Sequence, residues 1–175
     1  MQLKSLTVFC GSKSGSNALF VQQAIALGEL LAKKNIDLVY GGGNKGLMGA
    51  LANACLAMGG KVIGIIPKIL LEWEAQHTSL TELIITEDMH ERKKMLYEKG
   101  EAGLVLPGGM GTLDELFEML TWNNLKIHNK KVFILNIEGY YDALILLLTE
   151  MDKEGFMYDE WRDRIIVCPS LEALE

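Results

Sequence analysis

Proline, cysteine, histidine and aromatic side chains are all scarce in this chain. Three prolines among 175 residues leave no proline-rich linker. Three cysteines, Cys10, Cys55 and Cys168, are widely spaced and odd in number. They predict reduced thiols filling apolar sites in a cytoplasmic protein rather than a disulfide framework. The three histidines, His77, His90 and His128, have no metal-ligand spacing with one another or with the cysteines, so no metal is expected. No apolar run approaches the roughly 18–20 residues of a spanning helix, and residues 1–10 lack the apolar core and cleavage site of a secretory signal. Positive charge is also short. A formal charge of −6 creates no field that would draw the chain to nucleic acid or to an anionic membrane. An anionic ligand must therefore be held by local devices.

Several familiar sites are missing too. Gly11-Ser12-Lys13-Ser14-Gly15 is not the Gly-x-Gly-x-x-Gly of dinucleotide binders, and Tyr40 ends the second strand where an acid is expected. Gly43-Asn44-Lys45-Gly46 lacks the Lys-Ser/Thr pair that closes a P-loop. No Gly-x-Ser-x-Gly nucleophile elbow occurs. Hydride transfer, nucleoside triphosphate hydrolysis, zinc chemistry and acyl transfer all lose support.

What the chain has is glycine, 18 residues of it, placed at the ends of apolar runs. Strand-like segments at 6–10, 37–40, 61–66, 83–86, 103–106, 132–135 and 165–167 alternate with helical ones at 18–34, 47–58, 88–99, 113–125 and 140–153. Residues 68–81 read as either a short helix or a loop. Fully apolar strands alternating with helices predict a Rossmann-like three-layer α/β sandwich: a mostly parallel sheet covered on both faces, built by residues 1–175 as one domain. Such sheets bind ligands beyond the carboxyl ends of their strands, and three glycine turns (11–16, 41–46 and 107–111) fall there. Their convergence predicts a phosphate-containing ligand.

Pro107-Gly108-Gly109-Met110-Gly111-Thr112-Leu113-Asp114-Glu115 carries the most information. Its glycines let backbone N–H groups approach an anion, and Thr112 adds a hydroxyl at the helix entrance. Phosphate binding does not explain Glu115, a carboxylate one turn into the same helix, unless positive charge meets it. Arg92, in Met89-His90-Glu91-Arg92-Lys93, is the candidate counter-charge, since its planar fork holds carboxylate or phosphate without losing its proton. Charge pattern alone reads that segment equally well as a solvated basic face. Asp114 points about 100° away from Glu115 on a helix and is expected to face solvent or to stabilise the helix N-terminus. Glu118 shares the face of Glu115 more weakly. Trp73, Trp122, Met110 and Met119 are expected to pack, with Trp122 a candidate subunit contact.

These two segments together resemble the paired signatures of the LOG ("lonely guy") family, cytokinin riboside 5′-monophosphate phosphoribohydrolases long mislabelled as lysine decarboxylases. Tyr40-Gly41-Gly42-Gly43 with Gly46-Leu47-Met48-Gly49 is similar to another family turn, and Cys10-Gly11-Ser12 to its first strand end. The resemblance spans nearly the whole chain. It implies catalysis by Arg92 and Glu115. It implies substrate contacts by Gly108, Gly109, Gly111 and Thr112, by Gly11, Ser12, Gly42 and Gly43, by Lys93 beside the arginine, and by Thr121. It further implies a Rossmann-like homodimer with active sites near the subunit interface. The expected reaction releases a free base and ribose 5-phosphate from AMP or N6-prenyl-AMP, with no cofactor and no metal. Plant members carry Glu-Glu where this chain has Asp114-Glu115, and residues 67–86 are similar to bacterial members, so the choice between AMP and a prenylated nucleotide stays open. The alternatives are a non-catalytic nucleotide or molybdenum-cofactor carrier, a phosphomonoesterase, and a pyridoxal-phosphate decarboxylase, for which no lysine stands in a recognisable setting.

Overall fold

A computed structural model describes residues 3–71, 75–158 and 160–174. Seven strands form one sheet: β1 (Ser5–Phe9), β2 (Asp37–Tyr40), β3 (Val62–Pro67), β4 (Glu82–Thr86), β5 (Ala102–Val105), β6 (Val132–Leu135) and β7 (Ile165–Cys168). Their spatial order is β4-β3-β2-β1-β5-β6-β7, and every pairing is parallel. The five α-helices are α1 (Ala18–Lys33), α2 (Gly46–Ala57), α3 (Met89–Lys99), α4 (Met110–Asn124) and α5 (Asp142–Lys153).

Strand alternation divides the core. Val8, Leu38, Tyr40, Leu104 and Leu106 pack with Leu27, Leu31 and Leu51 of α1 and α2. Their chain neighbours Phe9, Val39 and Val105 face the other way, onto Leu96, Leu116, Met119 and Leu148 of α3, α4 and α5. Neighbouring residues of one strand thus supply both layers, and β3 and β5 are buried along their whole length. All three cysteines are buried and outside any disulfide. Burial raises the Cys55 thiol to about 11, with the Asp37 charge adding to the shift. No helix among the described residues is long and apolar enough to cross a membrane.

Helix starts follow local chemistry. The Asn17 side chain accepts from Leu19 N at 3.0 Å and starts α1. Asp88 accepts from Glu91 N at 2.9 Å and starts α3; such caps contribute about 1 kcal/mol each. The N-cap of α4 is Gly109, with no side-chain cap at all. Most boundaries fall within one residue of the sequence expectation, and two helix starts differ by more. Helix α4 begins at Met110 rather than 113, because glycine is tolerated in a first turn that lacks intrahelical partners. Helix α5 begins at Asp142 rather than 140, because Glu138 (φ 52°) and Gly139 (φ 70°) are left-handed and leave Tyr140 and Tyr141 in the turn. Residues 68–70 form a short 3-10 turn, and Gln76 bridges to Gly43. Trp73 lies outside the described residues. The strand order reverses between β1 and β5, which brings Cys10, Gly11 and Pro107 side by side at the carboxyl edge.

Candidate active site

A cavity of about 350 Å³ opens at this reversal, with Ser12, Gly41, Arg92, Gly109, Thr112 and Glu115 in its wall. Arg92 reaches it from the first turns of α3. Its Nε donates to the Ile65 carbonyl of β3 at 3.1 Å, and its Nη1 lies 3.2 Å from Glu115 Oε1. Its Nη2 occupies the space a side chain would need at position 41: a Cβ built on Gly41 would lie 2.3 Å from it. The guanidinium is therefore fixed on three sides. Arg92 is 6% exposed and Glu115 9%, so the pair sits in a low-dielectric setting where losing one partner is costly. The solvated-face reading of Arg92 does not survive this burial.

Glu115 and Thr112 are three residues apart on α4 and point the same way, into the cavity. The α4 backbone beneath Glu115 is tied down as well. The buried Tyr97 hydroxyl donates to Glu118 Oε2 at 2.7 Å and lies 3.2 Å from the Glu115 carbonyl oxygen. Burial, then the neighbouring Glu118, push the Tyr97 pKa far above the phenol range, so this donor keeps its proton. Lys93 turns away from the cavity, to Glu118 at 3.0 Å and Asp114 at 3.3 Å. Burial opposes its charge, but the hydrogen bonds to Glu118 and Asp114 outweigh it and raise its pKa.

The glycine turns differ in what they offer. Helix α2 begins after turn 41–46, yet Leu47 N and Met48 N both donate to the Gly11 carbonyl, at 3.1 and 3.4 Å. Asn44 N donates to the Ala75 carbonyl, and the Gly42 carbonyl accepts from His77 N. That turn is satisfied by protein, and Gly42 and Gly43 do not line the cavity. At α4, Gly109, Met110, Gly111 and Thr112 line it directly. A helix start lacks intrahelical partners for its leading N–H groups, and these carry the positive end of the helix dipole. Serine and lysine from the first turn, Ser12 and Lys13, stand across from them.

Of the residues expected from sequence, the structure brings Arg92, Glu115, Gly109, Gly111, Thr112 and Ser12 together. Gly11 lies behind them, its N–H donating to the Pro107 carbonyl at 3.0 Å. Gly108 lies behind them too, its carbonyl accepting from the Tyr140 hydroxyl at 2.6 Å. Lys93 belongs to the Asp114–Glu118 cluster. Thr121 is exposed near the far end of α4 and donates to the Phe117 carbonyl. Met110, expected to pack, is 86% exposed at the cavity rim, while Met119 is fully buried. Trp122 packs edge-on against Tyr97 at 5.1 Å. Lys13, Cys10 and Met48 also line the cavity. Lys13 carried a signal, a cation inside a glycine turn; Cys10 and Met48 stood only within segments similar to family turns.

A family model described as "Possible lysine decarboxylase" matches residues 48–174. The chain belongs to this family. Among curated relatives, a cytokinin riboside 5′-monophosphate phosphoribohydrolase of Rhodococcoides fascians is 45% identical over 171 residues, covering 97% of this chain and 86% of that protein. A probable enzyme of the same name from Oryza sativa subsp. japonica is 44% identical, covering 97% and 76%. One from Arabidopsis thaliana, also named as a cytokinin riboside 5′-monophosphate phosphoribohydrolase, is 43% identical, covering 99% and 81%. These names place the family member described here in the LOG group. Solved structures of the same fold include a molybdenum cofactor binding protein from Rippkaea orientalis (TM-score 0.73, 20% identical, covering 99% of this chain and 94% of that one). The molybdenum cofactor carrier protein of Chlamydomonas reinhardtii matches with TM-score 0.73 at 18% identity, covering 97% and 92%. At such identities the likeness is one of fold.

Proposed function

We propose that the protein hydrolyses the N-glycosidic bond of adenine nucleoside 5′-monophosphates, AMP or N6-prenyl-AMP, to the free base and ribose 5-phosphate. The observation that carries this reading is the buried Arg92–Glu115 pair, held 3.2 Å apart beside the open start of α4. A phosphate carrier needs the helix start but has no use for a buried carboxylate next to it. Relatives more than 40% identical over nearly the whole chain, named for this reaction, support the same reading.

In the proposed reaction the 5′-phosphate docks on the N–H groups at 109–112 and the Thr112 hydroxyl, with Lys13 as counter-charge. That remote binding orients the ribose. As the bond to the base breaks, positive charge develops at C1′, as in other glycoside cleavages. The Glu115 carboxylate stabilises that charge and directs a water molecule to the carbon. Its stabilising field is preorganised, because Arg92 and the Tyr97-anchored backbone fix it before substrate arrives. Arg92 itself orients the carboxylate. The dimer expected from the resemblance belongs to the same proposal. Exposed apolar side chains at Leu125, Ile127, Leu146 and Leu147 support it, and sedimentation measures it.

The family description raises pyridoxal phosphate, and the residues do not fit that group. An imine-forming lysine must shed its proton, whereas Lys93 is held charged by Glu118 and Asp114, and Lys13 is exposed on the rim. Incubation with AMP, followed by separation of products, tests the proposal. Adenine with ribose 5-phosphate is expected. Adenosine with phosphate, or no base released from either AMP or N6-prenyl-AMP, overturns it. The ratio of kcat/KM for N6-prenyl-AMP and AMP then assigns the preferred base.

A further inference from the structure

The segment that delivers the glycine turn to α4 has its backbone carbonyls taken up by protein. Leu106 N donates to the Phe9 carbonyl at 2.9 Å, and the Leu106 carbonyl accepts from the Tyr141 hydroxyl at 2.7 Å. The Pro107 carbonyl accepts from Gly11 N at 3.0 Å. The Gly108 carbonyl accepts from the Tyr140 hydroxyl at 2.6 Å. Three successive carbonyls are thus held by outside donors, two of them by adjacent tyrosines. The cavity wall begins at the very next residue, Gly109.

The tyrosines are themselves placed by an unusual turn. The left-handed pair Glu138 and Gly139 swings the chain back over residues 106–108. Asn136 Oδ1 accepts from Tyr141 N at 2.7 Å, and Asn136 N donates to the Cys168 carbonyl of β7. The Tyr140 ring meets Phe20 and Tyr141 edge-on, at 5.4 and 4.8 Å. Tyr141 is 3% exposed and Tyr140 45%. The buried tyrosine belongs to the core, whereas the half-exposed one reaches over the turn and satisfies a carbonyl that water could otherwise satisfy. Stability alone gives little reason for that second hydroxyl.

We propose that Tyr140 and Tyr141 form a two-hydroxyl clamp that fixes the peptide planes of residues 106–108 and so aims the donors at 109–112 into the cavity. They are positioning residues for anion binding, Tyr140 the tunable member. Glycines on both sides of the Gly108–Gly109 peptide would otherwise let that plane rotate, and a rotated plane turns a carbonyl oxygen toward the bound anion. The inference rests on the proposed docking of a phosphate at α4, but its test does not require turnover.

The test is binding of inorganic phosphate to the full-length protein, by calorimetry, in wild type and in Tyr140→Phe. The phenyl ring keeps the contacts to Phe20 and Tyr141, so the unfolding midpoint is expected to move by less than about 2 °C. Phosphate affinity is expected to fall about 5–20-fold, the scale of one lost orienting hydrogen bond. In AMP hydrolysis the KM is expected to rise by the same factor with kcat within about 2-fold, since the loss falls on binding common to ground and transition states. Tyr141→Phe is expected to lower phosphate affinity and the midpoint together. Unchanged phosphate affinity in Tyr140→Phe, or no phosphate binding by wild type, overturns the clamp whether or not AMP is cleaved. Normal phosphate binding and a weakened Tyr140→Phe, with no base released from AMP, would uphold the clamp and sink the hydrolase reading.

Discussion

Turns 41–46 and 107–112 look alike on paper: each joins a buried strand to a helix through three or four glycines. In the folded chain they do opposite things. Past Gly41, which stands in the cavity wall, the first closes on protein: Asn44 N donates to the Ala75 carbonyl, the Gly42 carbonyl accepts from His77 N, and Gly46 (φ 56°) lies so tightly on Ser12 and Lys13 that a Cβ there would be 2.4–2.5 Å from backbone atoms. The second opens, and a Cβ at Gly109 or Gly111 would meet nothing within 4 Å. Glycine content marks both turns. Only the destination of the backbone hydrogen bonds separates a packing joint from a binding site.

The largest test of this contrast is chemical. Glu115→Gln on the open side is expected to lower base release from AMP by about 10²–10⁴-fold while nucleotide binding persists, measured by product separation and calorimetry. A near-normal rate would leave the open turn as a mere phosphate grip. Next come the glycines themselves. Gly46→Ala is expected to cost about 2–4 kcal/mol in denaturant unfolding, from backbone overlap and a left-handed φ. Gly111→Ala is expected to raise stability by about 0.5–1 kcal/mol, as alanine does in a helix, while the KM for AMP rises at least about 3-fold from the added methyl. If both alanines acted on stability alone, or both on KM alone, the distinction between the turns would collapse.

The smallest effect concerns the closed side and pH. His77 Nδ1 accepts from Ser79 N at 3.2 Å and Nε2 faces Asn53 Oδ1 at 3.1 Å, an arrangement that suits the neutral ring. Burial lowers its pKa, so below about 6.5 the unfolded chain binds the proton more readily than the folded one. This contribution to stability is complete above that pH and is lost as pH falls through the lowered folded value. Melting temperature is expected to drop on acidification, and less so in His77→Gln. His128, lowered by burial and then by Lys130, leaves a residual slope of the same sign.

The sheet was legible because its strands are almost purely apolar: Val62–Pro67 and Val132–Leu135 can only be buried on both faces. Helix boundaries were less so. Glycine reads as a helix breaker, which hid the first turn of α4, and Tyr140-Tyr141 read as the start of an amphipathic helix because nothing local reveals a left-handed Glu138. Glu115 stood out in the site because its charge conflicted with its surroundings. Arg92 did not, since its burial depends on the Ile65 carbonyl and on an empty position at Gly41, both remote in sequence. Lys93 stands outside the cavity wall for the mirror reason: adjacency to Arg92 says nothing about direction on a helix, and two acids on α4 hold it.

The absent methyl at position 41 has a consequence for anyone surveying variants. The guanidinium of Arg92 is parked in that vacancy, so an alanine there would evict it from Glu115 without first unpicking the sheet. A screen scored on activity would mark Gly41 as intolerant, and a screen scored on expression would mark it less severely, by the cost of a buried carboxylate left without its partner. The gap between the two scores would chart the working part of the molecule at a residue that owns no reactive atom.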